Sequence, residues 1–463
     1  MKNIVSDLGT IVAEIYKERL LESLQKNEDI SVMIMEIEGY LHSIGREAVR
    51  EILETANSCV KESSERIKNW EIQASSLPNT LNTIFGSVSY ERAYYKNKST
   101  GEYRFLSDEA LGIEATDKTT LCLMSRNIDE ATDISYRRSG KKASRAIQTS
   151  GQTVMNHIRK LGAISNDAAP IKLGPGRIIK TLYIEADEDH TASQTERAME
   201  PPLVYIHEGS EAVTKGRFRL KNVRYFSGMH KDNEELWQDV IDYIDTVYDY
   251  GSIEKIYVSG DGASWIKNGA AYVNKGVYVL DKYHLIKYVR QAAAHIPGGI
   301  EILLGAIYGR DREYFEICIE TIKDQTEPGT KRFAIEDAKR YILNNWDSLD
   351  NYNNIDYIGC SAEGHVSHIL SDRLSSRPMA WGKEGADQMA RLRVFKANGG
   401  VIHQLLLEKK YAEKLEKAQI RIDADIKRLR RTGTSNELVH NITVLNVGKG
   451  TQLEKILKSL RGY

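Results

Sequence analysis

Three short runs of β-forming residues each end in an aspartate: LYIEADEDH (182–190), IYVSGDGAS (256–264) and VYVLDKYH (277–284). The acids in question are Asp187, Asp261 and Asp281. Asp187 keeps company with Glu185, Glu188 and Asp189, followed by His190. Such a crowd is costly, because like charges a few ångströms apart repel and a buried carboxylate needs a partner. In open sheets, sites gather at the carboxyl ends of parallel strands, where loops leave the core. Acids at neighbouring strand ends would then converge from distant positions, and a hard divalent cation would relieve their repulsion. Magnesium prefers a few carboxylates together with waters and phosphate oxygens. Two such ions about 3.5–4 Å apart activate an attacking oxygen and stabilise a leaving one in phosphodiester displacement. This chemistry needs no Ser or Cys nucleophile, and none is evident. The small residues of GDG leave space for phosphate beside Asp261. Any one acid after a strand is more often a turn or helix cap than a ligand. Three in one α/β region point to a metal.

The elements that must hold these acids follow from patterning. The chain has 463 residues, 41% hydrophobic and 28% charged, which is room for two to four soluble domains. Its net charge of −1 gives no global sign of a nucleic-acid partner, so any basic surface is local. Four cysteines (Cys59, Cys122, Cys318, Cys360) lack CxxC spacing, which argues against a zinc ribbon or a disulfide framework. No apolar run approaches the roughly 18–20 residues of a membrane span, and MKNIVSDLGTIVAEIYKERL has no signal-peptide core. The expectation is a cytoplasmic protein with no membrane partner, nucleoid-associated when bound to DNA.

Residues 4–75 read as amphipathic helices, and 1–75 as a packing or oligomerisation region. The period changes at TIFGSVSYERAYYKNKSTGEYRFLSD, predicting a β-hairpin around NKSTGE within 76–110. From 178 the order is mixed: strands IIKTLYIEAD, PPLVYIHEG and GRFRLKNVRYFSG, helix NEELWQDVIDYIDTVYDY, strand EKIYVSGDG, helix ASWIKNGAAYV, strand GVYVLD. That order predicts a mixed sheet whose first three strands form an antiparallel meander. Residues 285–355 read as helical and polar, 362–375 as a helix, and 403–433 as a long charged helix in a tail over 401–463.

Between Ser135 and Asn166 there is no acidic residue, yet the stretch carries Arg137, Arg138, Lys141, Lys142, Arg145, Arg159 and Lys160. A helix over roughly 133–145, a break near 148–151 and a second helix with Val154 and Ile158 inward suggest a helix-turn-helix within 111–170. Ser150, Gln152, Thr153 and Asn156 would face a DNA groove while the first helix meets phosphates. A charge run is usually a solvated face, but such runs mix signs. Arg217, Arg219, Lys221 and Arg224 offer a second DNA-facing edge, or equally a charged edge strand that resists aggregation.

The sequence of elements resembles the RNase H-like fold of DDE transposases and integrases. More narrowly, SGDGASWIK, LDKYHLIKYV and CSAEGHVSHILSDRLSSRPMAWG are similar to bacterial insertion-sequence transposases related to the Mutator elements, the ISLre branch above all. The similarity runs from the hairpin to MAWGKEGADQMARLRVFKANGG. It implies an α/β multidomain protein with an RNase H-like catalytic domain over 176–284 and 356–400, interrupted by a helical insertion at 285–355. The family's first catalytic acid matches Asp187, with Asp189 the alternative. The second matches Asp261, and the Glu matches Glu363, on a helix that Ser361 could cap. Asp281 and His284 match the family's Asp-x-x-His, whose histidine is either a ligand or a hydrogen-bonded structural partner. His190 reads as structural, and Glu185 and Glu188 as supporting acids. The implied activity is transposition: metal-dependent cleavage and strand transfer at element ends, with two Mg²⁺ (Mn²⁺ as substitute), double-stranded DNA as partner and a homo-oligomer joining both ends. A structure-specific nuclease and a catalytically vestigial DNA-binding protein are the alternatives.

Overall fold

The computed structural model describes residues 21–195, 198–377 and 379–431, together with Lys17 and Arg19. The chain divides near His403. Residues up to that point form one compact unit, and a helix, Ile402–Arg431, leads into a second. Predicted helix at 4–16 and the tail beyond 431 lie outside the described residues.

Helix α1 (Ile30–Glu62) begins at Asp29, whose carboxylate accepts the Ser31 N–H. Helix α2 (Ser64–Asn69) follows, and the chain then extends as β1 (Trp70–Thr83), so residues 70–75 are strand rather than helix. β1 pairs antiparallel with β2 (Gly86–Asn97), and the predicted hairpin arm after NKSTGE is only the two-residue β3 (Tyr103–Arg104). The first half of β1 is largely solvated, and burial alternates only from Asn79 through Leu81 to Thr83. Without alternation there was no period-2 signal to read.

After the short α3 (Leu106–Ala110), helices α4 (Leu121–Ala131), α5 (Tyr136–Lys142) and α6 (Gly151–Leu161) pack together. Val154 and Ile158 point inward as predicted, joined by Leu161. The α5–α6 turn is tight: Thr149 N–H donates to Gly140 C=O at 2.8 Å, and a Cβ on Gly140 would sit 2.0 Å from the Thr149 carbonyl oxygen. Only glycine fits there.

The central sheet has five strands: β4 (Thr181–Glu188), β5 (Pro202–His207), β8 (Arg224–Ser227), β9 (Lys255–Gly260) and β10 (Gly276–Leu280). Their spatial order is β10-β9-β4-β5-β8. β4, β5 and β8 form the antiparallel meander, while β9 and β10 run parallel to β4. The predicted third strand, GRFRLKNVRYFSG, is in fact two. Its first half is β7 (Arg217–Leu220), paired with β6 (Ser210–Thr214) in a separate solvated hairpin, and its second half is β8. Asn222, at φ 53°, marks the break.

Alternation along β4 sends Leu182, Ile184 and Ala186 into a core with Val204, Ile206, Val258 and the inner faces of α7 (Glu234–Val247) and α8 (Ser264–Tyr272). The opposite face carries Tyr183, Glu185 and Asp187. Beyond β10, helices α9 (Lys282–Ala293), α10 (Gly299–Tyr308), α11 (Arg312–Asp324) and α12 (Thr330–Asn344) enclose a core of their own around Leu285, Leu303, Phe315 and Ile342. Most of 285–355, the span expected to be a helical insertion, is thus helical. The chain returns through α13 (Ala362–Val366), a π turn (Ser367–Ser371) and α14 (Asp372–Leu374), then α15 (Lys383–Ala397) and α16 (Ile402–Arg431).

Candidate metal centre at the strand ends

Among the described residues, Asp187, His284 and Glu363 each present one ligand atom within 4.8 Å of the others. They come from the end of β4, the first turn of α9 and the first turn of α13. Asp187 is buried, and burial pushes its carboxyl up to about 6, with the charges of Asp261 and Glu363 adding to the rise and His284 opposing it. Asp261, at the end of the adjacent β9, stands outside the 4.8 Å group, yet its charge also acts on Glu188 and His284. Its Oδ1 accepts the Ala263 N–H at 2.9 Å, and its carbonyl accepts the Tyr341 hydroxyl from α12. Gly260 allows the close approach of β9, since a Cβ there would lie 2.9 Å from the Ala186 carbonyl oxygen.

The acids flanking Asp187 have different work. Glu185 is buried, and its Oε2 accepts the Ser361 N–H at 2.6 Å and the Ser361 hydroxyl at 3.0 Å, besides the Tyr205 hydroxyl. Gly209 N–H donates to His207 Nδ1, so Nε2 carries the proton and donates to Glu185 Oε1 at 2.9 Å. Burial alone would raise the Glu185 carboxyl; these bonds outweigh it and hold it below the usual range. The prediction that Ser361 caps the Glu363 helix is corrected: its side chain makes no cap bond and turns to Glu185 instead.

Asp189, the alternative first acid, is also buried, but its Oδ1 accepts the hydroxyls of Ser371 (2.8 Å) and Ser375 (2.7 Å) and its Oδ2 that of Thr191 (3.0 Å). It lies outside the donor cluster. Glu185 and Asp189 thus fasten the two ends of the segment that carries Glu363, leaving Asp187 between them to face it. The π turn lets one segment meet both acids. No spacing rule in the sequence announces these serines.

Asp281 Oδ1 caps α9 through the Tyr283 N–H (3.0 Å), and its Oδ2 lies 3.0 Å from His284 Nδ1. Burial disfavours charge on His284, but the Asp281 hydrogen bond and the nearby Asp187 prevail and raise its pKa. With Nδ1 engaged, Nε2 is the ligand atom left to the cluster, the arrangement metal-binding histidines use. Glu188 takes a 2.7 Å hydrogen bond from Trp265 Nε1, and burial followed by Asp261 raises its carboxyl to about 7. His190 is exposed and 3.3 Å from Glu200. Two carboxylates that repel one another, beside an oriented imidazole, fit a divalent cation.

In the stretch expected to form a helix-turn-helix, Arg137, Arg138, Lys141, Lys142, Arg145, Gln152, Asn156, Arg159 and Lys160 are exposed. Lys142 pairs with Glu130 at 2.8 Å and Arg145 with Glu38. Lys160 is 3.7 Å from Asp117. Ser150 caps α6 by accepting the Thr153 N–H at 3.1 Å, so this pair serves the helix start, while Gln152 and Asn156 bond each other at 3.0 Å on its open face. Arg224 does not belong to the charged edge expected with Arg217, Arg219 and Lys221: it is buried and donates to the carbonyls of Asn166, Ala169 and Pro170. Arg219 pairs with Glu211 at 2.6 Å.

The model of an uncharacterised protein family, UPF0236, matches residues 25–411. A UPF0236 protein of Caldanaerobacter subterraneus subsp. tengcongensis is 38% identical over 471 residues, covering 99% of this chain and 98% of its own. Another from the same organism is 39% identical over 451 residues, covering 96% and 94%. The name of the first joins four locus designations and that of the second eleven.

Proposed function

We propose that this chain, which belongs to the uncharacterised UPF0236 family, is a DDE-type DNA transposase of an insertion sequence. The observation that carries the reading is the convergence of Asp187, His284 and Glu363, with Asp261 beside them, at the carboxyl ends of parallel strands. The names of its relatives add to it, since names joining several loci are what repeated copies of one gene produce, and a mobile element makes such copies.

Asp187, Glu363 and His284 would hold a divalent cation (Mg²⁺, with Mn²⁺ as substitute), whose Lewis acidity would neutralise charge at the scissile phosphodiester. The chain's own residues set the geometry. Asp281 fixes the His284 ring, while Glu185 and Asp189 hold the Glu363 segment against β4. The exposed cations of α5 and α6 would grip phosphates of the element end, and Gln152 and Asn156 would read base edges. Water attacks phosphorus and the P–O3′ bond breaks, leaving a 5′ phosphate and a free 3′ hydroxyl. That hydroxyl then attacks a target phosphodiester in line, forming one P–O bond as the target's P–O3′ bond breaks. Both ends must be processed together, which calls for an oligomer.

Labelled DNA bearing the flanks of this gene, incubated with protein and Mg²⁺, should yield 3′ ends joined to target DNA. Cutting without joined product would replace the transposase by a nuclease. Binding without cutting would leave a DNA-binding protein.

A further inference from the structure

A cleft of about 450 Å³ lies between the helix-turn-helix region and the catalytic domain. Tyr136, Met155 and Ile158 from α5 and α6 form one wall, and Met379, Trp381 and Gln388 part of the other. Two buried polar groups line it. Gln388 is 3% exposed, and among the described residues its Oε1 has no hydrogen-bond partner and its amide reaches Glu384 alone, at 3.4 Å. Arg373 is 4% exposed and, among the described residues, makes no ion pair within 4 Å: Nε donates to the Ala131 carbonyl at 2.8 Å, Nη1 to Met379 Sδ at 3.3 Å, and the guanidinium lies 4.7 Å from the Trp381 ring and 5.4 Å from that of Tyr136. A buried amide oxygen without a partner is destabilising, so its retention beside a guanidinium with no ion pair calls for a ligand that supplies both a donor and an acceptor. Exposed Arg159 and Lys383 also line the cleft.

A nucleobase has that complementarity. Its edge offers donors and acceptors that Gln and Arg match, its faces suit thioether and aromatic walls, and the attached phosphate suits Arg159 and Lys383. The volume falls within the range of small-ligand sites. The cleft also lies near the metal centre. Gln194, on its rim, is seven residues (194 − 187) beyond Asp187, no more than about 25 Å of extended chain. Resting on the transposase reading, we propose that this cleft receives one unpaired base of the DNA strand passing from the helix-turn-helix region to the metal centre.

The test uses the full chain and two duplexes containing 2-aminopurine, one with that base unpaired in a bulge and one with it paired. The expected result is about tenfold tighter binding of the bulged duplex, roughly 1.4 kcal/mol, with a fluorescence change on binding. Met155→Trp, which fills the cleft from a half-buried position, and Gln388→Leu should both abolish the preference and keep affinity for the paired duplex. Equal affinities in the wild type, or a preference undiminished in both variants, would overturn the base pocket while leaving the transposase reading intact. No binding of either duplex would remove that reading and the pocket with it. Competition by free deoxyadenosine monophosphate at the concentration at which the bulged duplex binds would assign the cleft to a free nucleotide and overturn its role for DNA.

Discussion

Three acids at alternate positions, two on β4 and one just past its end, have two fates. Glu185 and Asp189 turn to serines that bracket Glu363, and Asp187 turns to Glu363 and His284. The sequence left Asp187 and Asp189 as alternatives, because the serines that bond Glu185 and Asp189 lie more than 170 positions away. Asp187→Asn should abolish cleavage and leave the fold intact. Glu185→Gln and Asp189→Asn keep the donor cluster, yet each should lower activity about 10–100-fold, as loss of a ligand's support does, read as cleavage rate at matched folded protein. The pH dependence has a definite sign. Asp187 and Glu188 have folded pKa values, about 6 and about 7, above their ordinary 3.8 and 4.5. The folded state therefore binds these protons more tightly, and the stability they contribute falls as pH rises from about 4 to 7. In chelator, Glu188→Gln should gain melting temperature relative to wild type at pH 8 but not at pH 4. Added Mn²⁺ should stabilise the wild type more at pH 8 than at pH 5.

At the level of elements, the strands that deliver Asp187, Asp261 and Asp281 were legible because buried strands read as apolar runs closed by turns. Those that failed, β1 and the β7–β8 break, are solvated or interrupted and carry no such period. The sequence also gave no hint of how closely α7 and α8 approach. A Cβ on Gly269 would stand 1.9 Å from the ring of Trp237, which packs 6.1 Å from Trp265, the residue that bonds Glu188. Gly269→Ala should cost about 1–3 kcal/mol by overpacking, measured by denaturant unfolding, and should move Trp265. The insertion bears on the site through Tyr341, whose hydroxyl donates to the Asp261 carbonyl. Tyr341→Phe should slow cleavage with little change in DNA affinity, because it frees the loop holding Asp261 without touching the basic helices.

Over the whole molecule, a near-neutral chain concentrates cations on one acid-free stretch, and the end of α4 just before it is tied to the segment after the central sheet: Arg393 reaches Asp133 and the Thr132 carbonyl, and Arg373 reaches that of Ala131. Among the described residues no helix is long and apolar enough to cross a membrane. Arg138→Glu and Lys141→Glu should each weaken DNA binding for every sequence and lower the slope of log affinity against log salt by about 1. Transposition, however, requires chemistry at the strand ends. The decisive measurement is cleavage of a supercoiled plasmid carrying this gene with its flanks, in Mg²⁺, Mn²⁺ or chelator, by wild type, Asp187→Asn and Glu363→Gln. The account predicts cuts at discrete ends in either metal, at least as fast in Mn²⁺ given the imidazole donor, and none in chelator or with either variant. Cleavage that persists in both variants, or a wild type that binds this DNA and never cuts it in either metal, would contradict it.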